Sequence, residues 1–186
     1  MRTGQLLPGS RRRLIAAAFH EAGHAVAAYH VKVRFRRIAI GKNTAKELGW
    51  LELWLPPQTT ADGIVDVRTA HAIERGVIVL LAGSQAERMA LGRAKYLGSG
   101  LDFFEAVRYA GHLCRTRSEM SAYLRWMQLR VRALVENPSW RQPIEALATY
   151  LVQRREVGAR EARGIIRRAI PMSLEMAQYR NAKQHV

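Results

Sequence analysis

From Ser10 to about Val31 the chain carries Ala, Val and Phe at helix-forming positions, and Ser10 is an acceptable N-cap. A first helix is predicted there, and its apolar flanks predict burial. Val33–Ile40 and Leu48–Leu55 are rich in β-branched, aromatic and leucine residues, and Trp50, Glu52 and Trp54 alternate with Leu51, Leu53 and Leu55 at the period of a strand. Two strands are expected, joined by a polar turn at Gly41–Thr44 and ended by Pro56-Pro57. A polar loop then leads to a helix start at Asp62 or Asp66. Val67–Leu91 has a helical pattern; Val77–Ala82 alone, between Gly76 and Gly83, could pass for a buried strand, but the length of the whole stretch favours a helix.

The three glycines of Gly92–Gly100 predict a loop, with Asp102 at the start of a further helix to about Arg115. Another helix is expected from about Ser118 to Glu136, stopped by Asn137-Pro138. Ser139-Trp140-Arg141-Gln142 has the capping-box form for the next, to about Arg155, and Ala159–Ala169 supplies a short last one before Pro171. The fold class is therefore mainly α (α+β). A single domain over residues 1–170 carries a small β-hairpin or sheet near the first helix, and residues 171–186 form a loosely held tail.

With 186 residues and 48% hydrophobic content, one core can be built. The single cysteine, Cys114, excludes an intrachain disulfide and points to a reducing compartment. No apolar run approaches the ~20 residues of a membrane span, and the N-terminus lacks an apolar core of signal-peptide length. A soluble cytoplasmic protein is expected. The net charge of +15 is uneven: residues 1–46 hold ten Lys/Arg against Glu21 alone, residues 47–110 hold six against eight acids, and residues 111–186 hold fourteen against six. Clusters such as Arg11, Arg12, Arg13 and Arg34, Arg36, Arg37 could contact phosphates or an acidic partner. No nucleic-acid motif accompanies them, so solvated helix faces are the expectation and nucleic-acid binding is not. Gly41-Lys42 is not a phosphate loop, because its surroundings lack the required glycine and hydroxyl residues.

Within the first helix, His20 and His24 stand four apart, so their imidazoles project from nearly one face and can converge on a metal ion. Glu21 adjoins them without being placed as a ligand, near enough to take a proton from water; this is the H-E-x-x-H arrangement of metallohydrolases. Zinc (Zn2+) is the expected ion, with three protein ligands and one open position. The bland alternative, two satisfied core histidines, leaves a buried glutamate with a large desolvation cost and nothing cationic to offset it. His30, His71, His112 and His185 lack any matching spacing and are read as surface or packing residues.

Several stretches together resemble the peptidase domain of the FtsH family of ATP-dependent zinc proteases. AAFHEAGHAVAAY is similar to that family's H-E-A-G-H region, and ELGWLELWLP to its strand with an L-G start and a proline end. LLAGSQAERMALG resembles its L-G-G-R-x-A-E segment, and YLGSGLDFFEAVRYA its T-G-A-x-x-D segment, in the same order and with similar gaps over roughly Leu14–Arg168. The resemblance implies a helical zinc-peptidase domain and supplies the third ligand, Asp102. Glu87, at the family's A-E position, is the competing carboxylate, and is read as a residue orienting a histidine rather than as a ligand.

The sequence departs from the family where Leu101 directly precedes Asp102 and where Ser84 replaces the arginine after Gly83. An ATPase domain and a membrane anchor are not expected in this chain. The implied function is zinc-dependent hydrolysis of unfolded or flexible polypeptides, with Glu21 as general base and then acid. The substrate would dock by β-addition on the Val33–Leu55 strand pair. A separate ATPase or adaptor as partner, and an oligomeric state, are left open. Two other classes compete: a metal-binding regulator or adaptor without proteolysis, and a basic nucleic-acid-associated module. Intact Glu21 favours the peptidase over the first.

Overall fold

Helix α1 (Pro8–His30) runs through the middle of the molecule because alanines along it let neighbours approach on several sides. Ala17, Ala18, Ala22, Ala25, Val26, Ala27 and Ala28 are all fully buried. The computed structural model describes residues 8–44, 47–55, 65–92 and 98–172. The Pro56-Pro57 strand stop, the polar loop through Asp62, most of the Gly92–Gly100 loop, nearly all of the tail and His185 lie outside the described residues.

Around α1 are packed a sheet of β1 (Arg34–Thr44), β2 (Glu47–Trp54) and β3 (Glu156–Gly158), and the helices α2 (Val67–Leu91) and α5 (Pro138–Arg154). Helices α3 (Gly98–Ala110) and α4 (Arg117–Glu136) lie against α2, and α6 (Ala159–Ala169) lies against α5. The described residues are thus mainly helical, with six helices and one small antiparallel sheet of order β2-β1-β3, an α+β arrangement. No helix among them is long and apolar enough to cross a membrane.

The strand pair is present, but its reversal is not at Gly41–Thr44. Gly41 adopts φ 73, which absorbs a register shift between Ile40 and Thr44, and β1 continues until Thr44 pairs with Glu47. A glycine at positive φ serves a bulge as readily as a turn. The third strand was not expected: its three residues pair Arg37 with Gly158, Ile38 with Val157 and Ala39 with Glu156. Three residues carry no periodicity. Arg155, at φ 68, turns the chain out of α5, and its carbonyl accepts from the Ile40 amide at 2.8 Å.

Helix boundaries shift where caps compete. Helix α1 begins at Pro8 rather than Ser10, and α2 takes Asp66 as its cap, whose carboxylate accepts from the Thr69 amide at 2.7 Å. Val77–Ala82 is helical throughout. Helix α3 starts four residues before Asp102 and ends at Ala110, short of Arg115. Thr116, not Ser118, caps α4, its hydroxyl accepting from the Glu119 amide at 3.1 Å. Asn137 caps α5 in place of Ser139, accepting from the Ser139 amide at 2.9 Å, with Pro138 in the first helical position where its missing N–H costs nothing. Pro143, inside α5, leaves the Ser139 carbonyl without its usual helical donor. His30, at the end of α1, donates to that carbonyl through Nε2 at 3.2 Å and stacks on Trp140 at 4.8 Å. It is a packing residue, while His71 and His112 are exposed.

Candidate metal centre

The centre depends on how closely α1 and α2 approach. A Cβ added at Gly23 would lie 2.6 Å from the Ala86 Cβ and 2.7 Å from the Ala82 carbonyl oxygen, so only glycine permits this crossing. A Cβ added at Gly83 would lie 2.4 Å from His24 Nε2 and 2.9 Å from His20 Nε2. The two imidazoles therefore rest directly on the α2 backbone, edge to face at 4.6 Å and 81°. Asp102 reaches them from the second turn of α3.

His20 Nε2, His24 Nε2 and Asp102 Oδ2 form a triangle with sides of 3.0, 2.8 and 3.2 Å. A tetrahedral ion with bonds of about 2.0–2.1 Å sets ligand edges of roughly 3.3–3.4 Å, so a few tenths of an ångström separate this triangle from a ligand face. His20, His24 and Asp102 are the group among the described residues that could hold a metal ion. His20 and His24 are buried, whereas the Asp102 side chain retains 24% exposure, so the centre opens toward α3.

The protons can be placed from the partners. His24 Nδ1 lies 2.7 Å from the Val79 carbonyl, which only accepts, so Nδ1 carries the hydrogen and Nε2 presents its lone pair. At His20, Nδ1 faces Glu87 Oε2 at 3.9 Å, and a proton there likewise leaves Nε2 as a lone pair. With both rings in that tautomer, two imidazole lone pairs and a carboxylate oxygen meet at hydrogen-bond distance with no proton among them. Such a donor set repels itself unless a cation sits between its members, and it suits a borderline divalent ion.

Charge points the same way. With no cation between its members the same donor set draws a proton onto His20 instead: burial alone would lower the His20 pKa, yet the hydrogen bond to Asp102 and the neighbouring Glu87 carboxylate outweigh it and raise it. Burial would raise Asp102, but the charge and hydrogen bonds of His24 and His20 hold it well below the usual carboxylate range. Glu21 and Glu87 are buried as well, at 4% and 2% exposure. Three carboxylates packed around two imidazoles form a site that attracts positive charge.

Each residue expected from the sequence is found here in a distinct place. Glu87 lies behind His20, on the side away from the triangle, as a histidine-orienting carboxylate would. Glu21 lies against the edge strand β2: a Cβ added at Gly49 would stand 2.9 Å from Glu21 Cγ and 3.0 Å from its Oε1. Sequence reasoning missed the Val79 carbonyl, Gly83 and Gly49 as parts of the site. A signal existed for α2, since residues 79, 83 and 87 recur at four-residue spacing on one helical face. No family model matches the chain, and a search of curated proteins finds no match to it.

Proposed function

We propose that this chain is a zinc-dependent endopeptidase acting on unfolded or flexible polypeptides in a cytoplasmic setting, in the manner of the FtsH-family peptidase domain it resembles. The observation that carries this reading is the convergence of His20 Nε2, His24 Nε2 and Asp102 Oδ2 with Glu21 buried beside them. Two imidazoles and a carboxylate are a donor set of catalytic zinc. When bound, zinc supplies Lewis acidity for hydrolysis.

The chain's own residues account for the rest of the chemistry. Glu21 takes a proton from the attacking water and delivers it to the leaving amine nitrogen, so one carboxylate acts as base and then as acid. The Val79 carbonyl, 2.7 Å from His24 Nδ1, holds that ring in the tautomer that leaves Nε2 as a lone pair, and the charge of Glu87, 3.9 Å from His20 Nδ1, favours the same tautomer there. Gly49 places Glu21 against an edge strand, where an extended polypeptide can add by main-chain hydrogen bonds and bring its carbonyl to the base. Leu101, Phe103 and Phe104 flank Asp102 on the open side and are exposed at 63%, 41% and 65%, a surface suited to the apolar side chains that unfolded chains present.

The test combines metal analysis with digestion of a disordered protein and a tightly folded one by wild type and Glu21→Gln, with and without ATP. About one zinc per chain is expected in both forms, with cleavage of the disordered protein by wild type alone and no acceleration by ATP. A metal-free wild type, or equal digestion by Glu21→Gln, would overturn the reading.

A further inference from the structure

Helix α6 carries a second charged feature, beside the C-terminal end of α1. Ala162, Ile165 and Ile166 are buried, and Arg160, Arg163 and Arg167 recur at intervals of three and four on the opposite, solvent-facing side. With Arg168 and Tyr29 they line an open cleft of about 820 Å³. Arg168 folds back over Gly164, where an added Cβ would meet its Nη1 at 3.3 Å. Arg163 is anchored: Nη2 donates to the Phe35 carbonyl at 3.3 Å and the guanidinium lies 5.1 Å from the Phe35 ring.

Counter-charge is scarce in this cleft. Elsewhere on the surface arginines meet acids: Arg36 with Glu52, Arg37 with Glu156, Arg130 with Glu74, Arg141 with Glu145. Among the described residues none of Arg160, Arg163, Arg167 and Arg168 forms an ion pair. Among the described residues the one carboxylate lining the cleft, Glu161, accepts a hydrogen bond from the Tyr150 hydroxyl at 2.6 Å. Four guanidinium groups against one engaged carboxylate make a concave surface of positive potential.

We propose that this cleft binds an acidic segment of polypeptide. Arg160 and Arg167 stand roughly 10 Å apart along the helix, and carboxylates two residues apart on an extended chain are spaced by roughly 7 Å, so two or three can be met at once. Guanidinium groups bind carboxylates in a bidentate fork. A single-stranded nucleic acid would need an aromatic face on which to stack its bases. The aromatic ring lining this cleft, Tyr29, is engaged by Lys32 at 5.2 Å and by His30 edge-on at 5.5 Å.

The site shares no residue with the metal centre, so it stands or falls separately. The test measures anisotropy of a fluorescent poly-glutamate peptide, and of a single-stranded oligonucleotide of matched charge, with the full chain. The variants are Arg160→Glu/Arg167→Glu and, as a control with the same charge change on exposed positions of α4, Arg117→Glu/Arg125→Glu. Expected are peptide binding that weakens with salt, a loss of at least about tenfold in the α6 pair, and a change within about twofold in the control. Because the readout is binding rather than cleavage and the altered arginines lie on α6, failure here is separated from failure of the peptidase reading. Absence of peptide binding, equal loss in both charge-reversal pairs, or tighter binding of the oligonucleotide would overturn the proposal.

Discussion

At the His20–His24–Asp102 centre three helices close until a single added carbon would collide, whereas along α6 exposed arginines surround an open cleft. In the first region position is set by packing: Gly23 and Gly83 bring backbone against imidazole, and Val79 and Glu87 hold the rings from behind. In the second, position is set by one helix's period and by charge without a partner. A packed site tolerates almost no change in shape and selects by geometry; an open one tolerates change and selects by sign of charge. Substitutions at the two regions should therefore fail in different ways.

The largest expected effect tests whether the packed region is a reaction centre at all. Glu21→Gln preserves shape and removes the proposed base, so on the peptidase reading peptide cleavage should fall by about 10²- to 10⁴-fold while bound metal stays near one per chain. His24→Ala or Asp102→Ala should lose the metal itself, read by metal analysis after dialysis.

Next in size is a test of packing against openness. Gly83→Ala places a Cβ 2.4 Å from His24 Nε2, so metal should be lost along with about 1–3 kcal/mol of stability, measured by denaturant unfolding. Gly158, beside the arginine cleft, has nothing within 4 Å of an added Cβ and sits at the N-cap of α6 with no side-chain cap. There Gly158→Ser should be neutral or stabilising by about a few tenths of a kcal/mol, since serine can cap the helix. Equal destabilisation at both glycines would erase the distinction.

Glu87→Ala sharpens the picture within the packed region. The carboxylate stands behind His20, outside the ligand triangle, so on the proposed orienting role metal affinity should drop by about 10- to 100-fold rather than vanish, as competition with a chelator would show. Complete loss, with Asp102→Ala retaining metal, would exchange the two roles.

How much of this was readable in advance follows from distance along the chain. His20, Glu21 and His24 lie within two turns of one helix, and helical spacing alone put the two imidazoles on one face. Asp102 is 78 residues beyond His24, and no local pattern links them; only a family resemblance singled it out. The Val79 carbonyl has no side-chain signature whatever. The mainly helical fold was legible because long apolar stretches repeat their period many times, while β3, with three residues, repeats nothing. Helix starts were placed only to within a few residues where capping residues stand close together, as with Thr116 beside Ser118, and the α5 start was misplaced from Asn137 to Ser139, because the sequence shows only the candidates.

The smallest expected effect lies where α1 meets α5, outside both regions, and measures how far the α1 scaffold depends on protonation away from the metal. Burial lowers the His30 pKa from its ordinary 6.5, the hydrogen bond to the Ser139 carbonyl opposes this, and the nearby Lys32 charge adds to the lowering. A histidine whose folded pKa is depressed binds fewer protons folded than unfolded near its transition. Its contribution is therefore present above pH 6.5 and is lost as pH falls through the folded value. Between the two, wild type should lose melting temperature as the solution is acidified. His30→Gln retains an N–H donor for the carbonyl that Pro143 leaves open but cannot titrate, so its melting curve should be flatter over the same window. Comparing the two proteins in matched buffers isolates the difference, because the metal ligands' own response is common to both. Parallel pH profiles would show that the His30–Ser139 contact contributes nothing through ionisation and acts through packing on Trp140 alone.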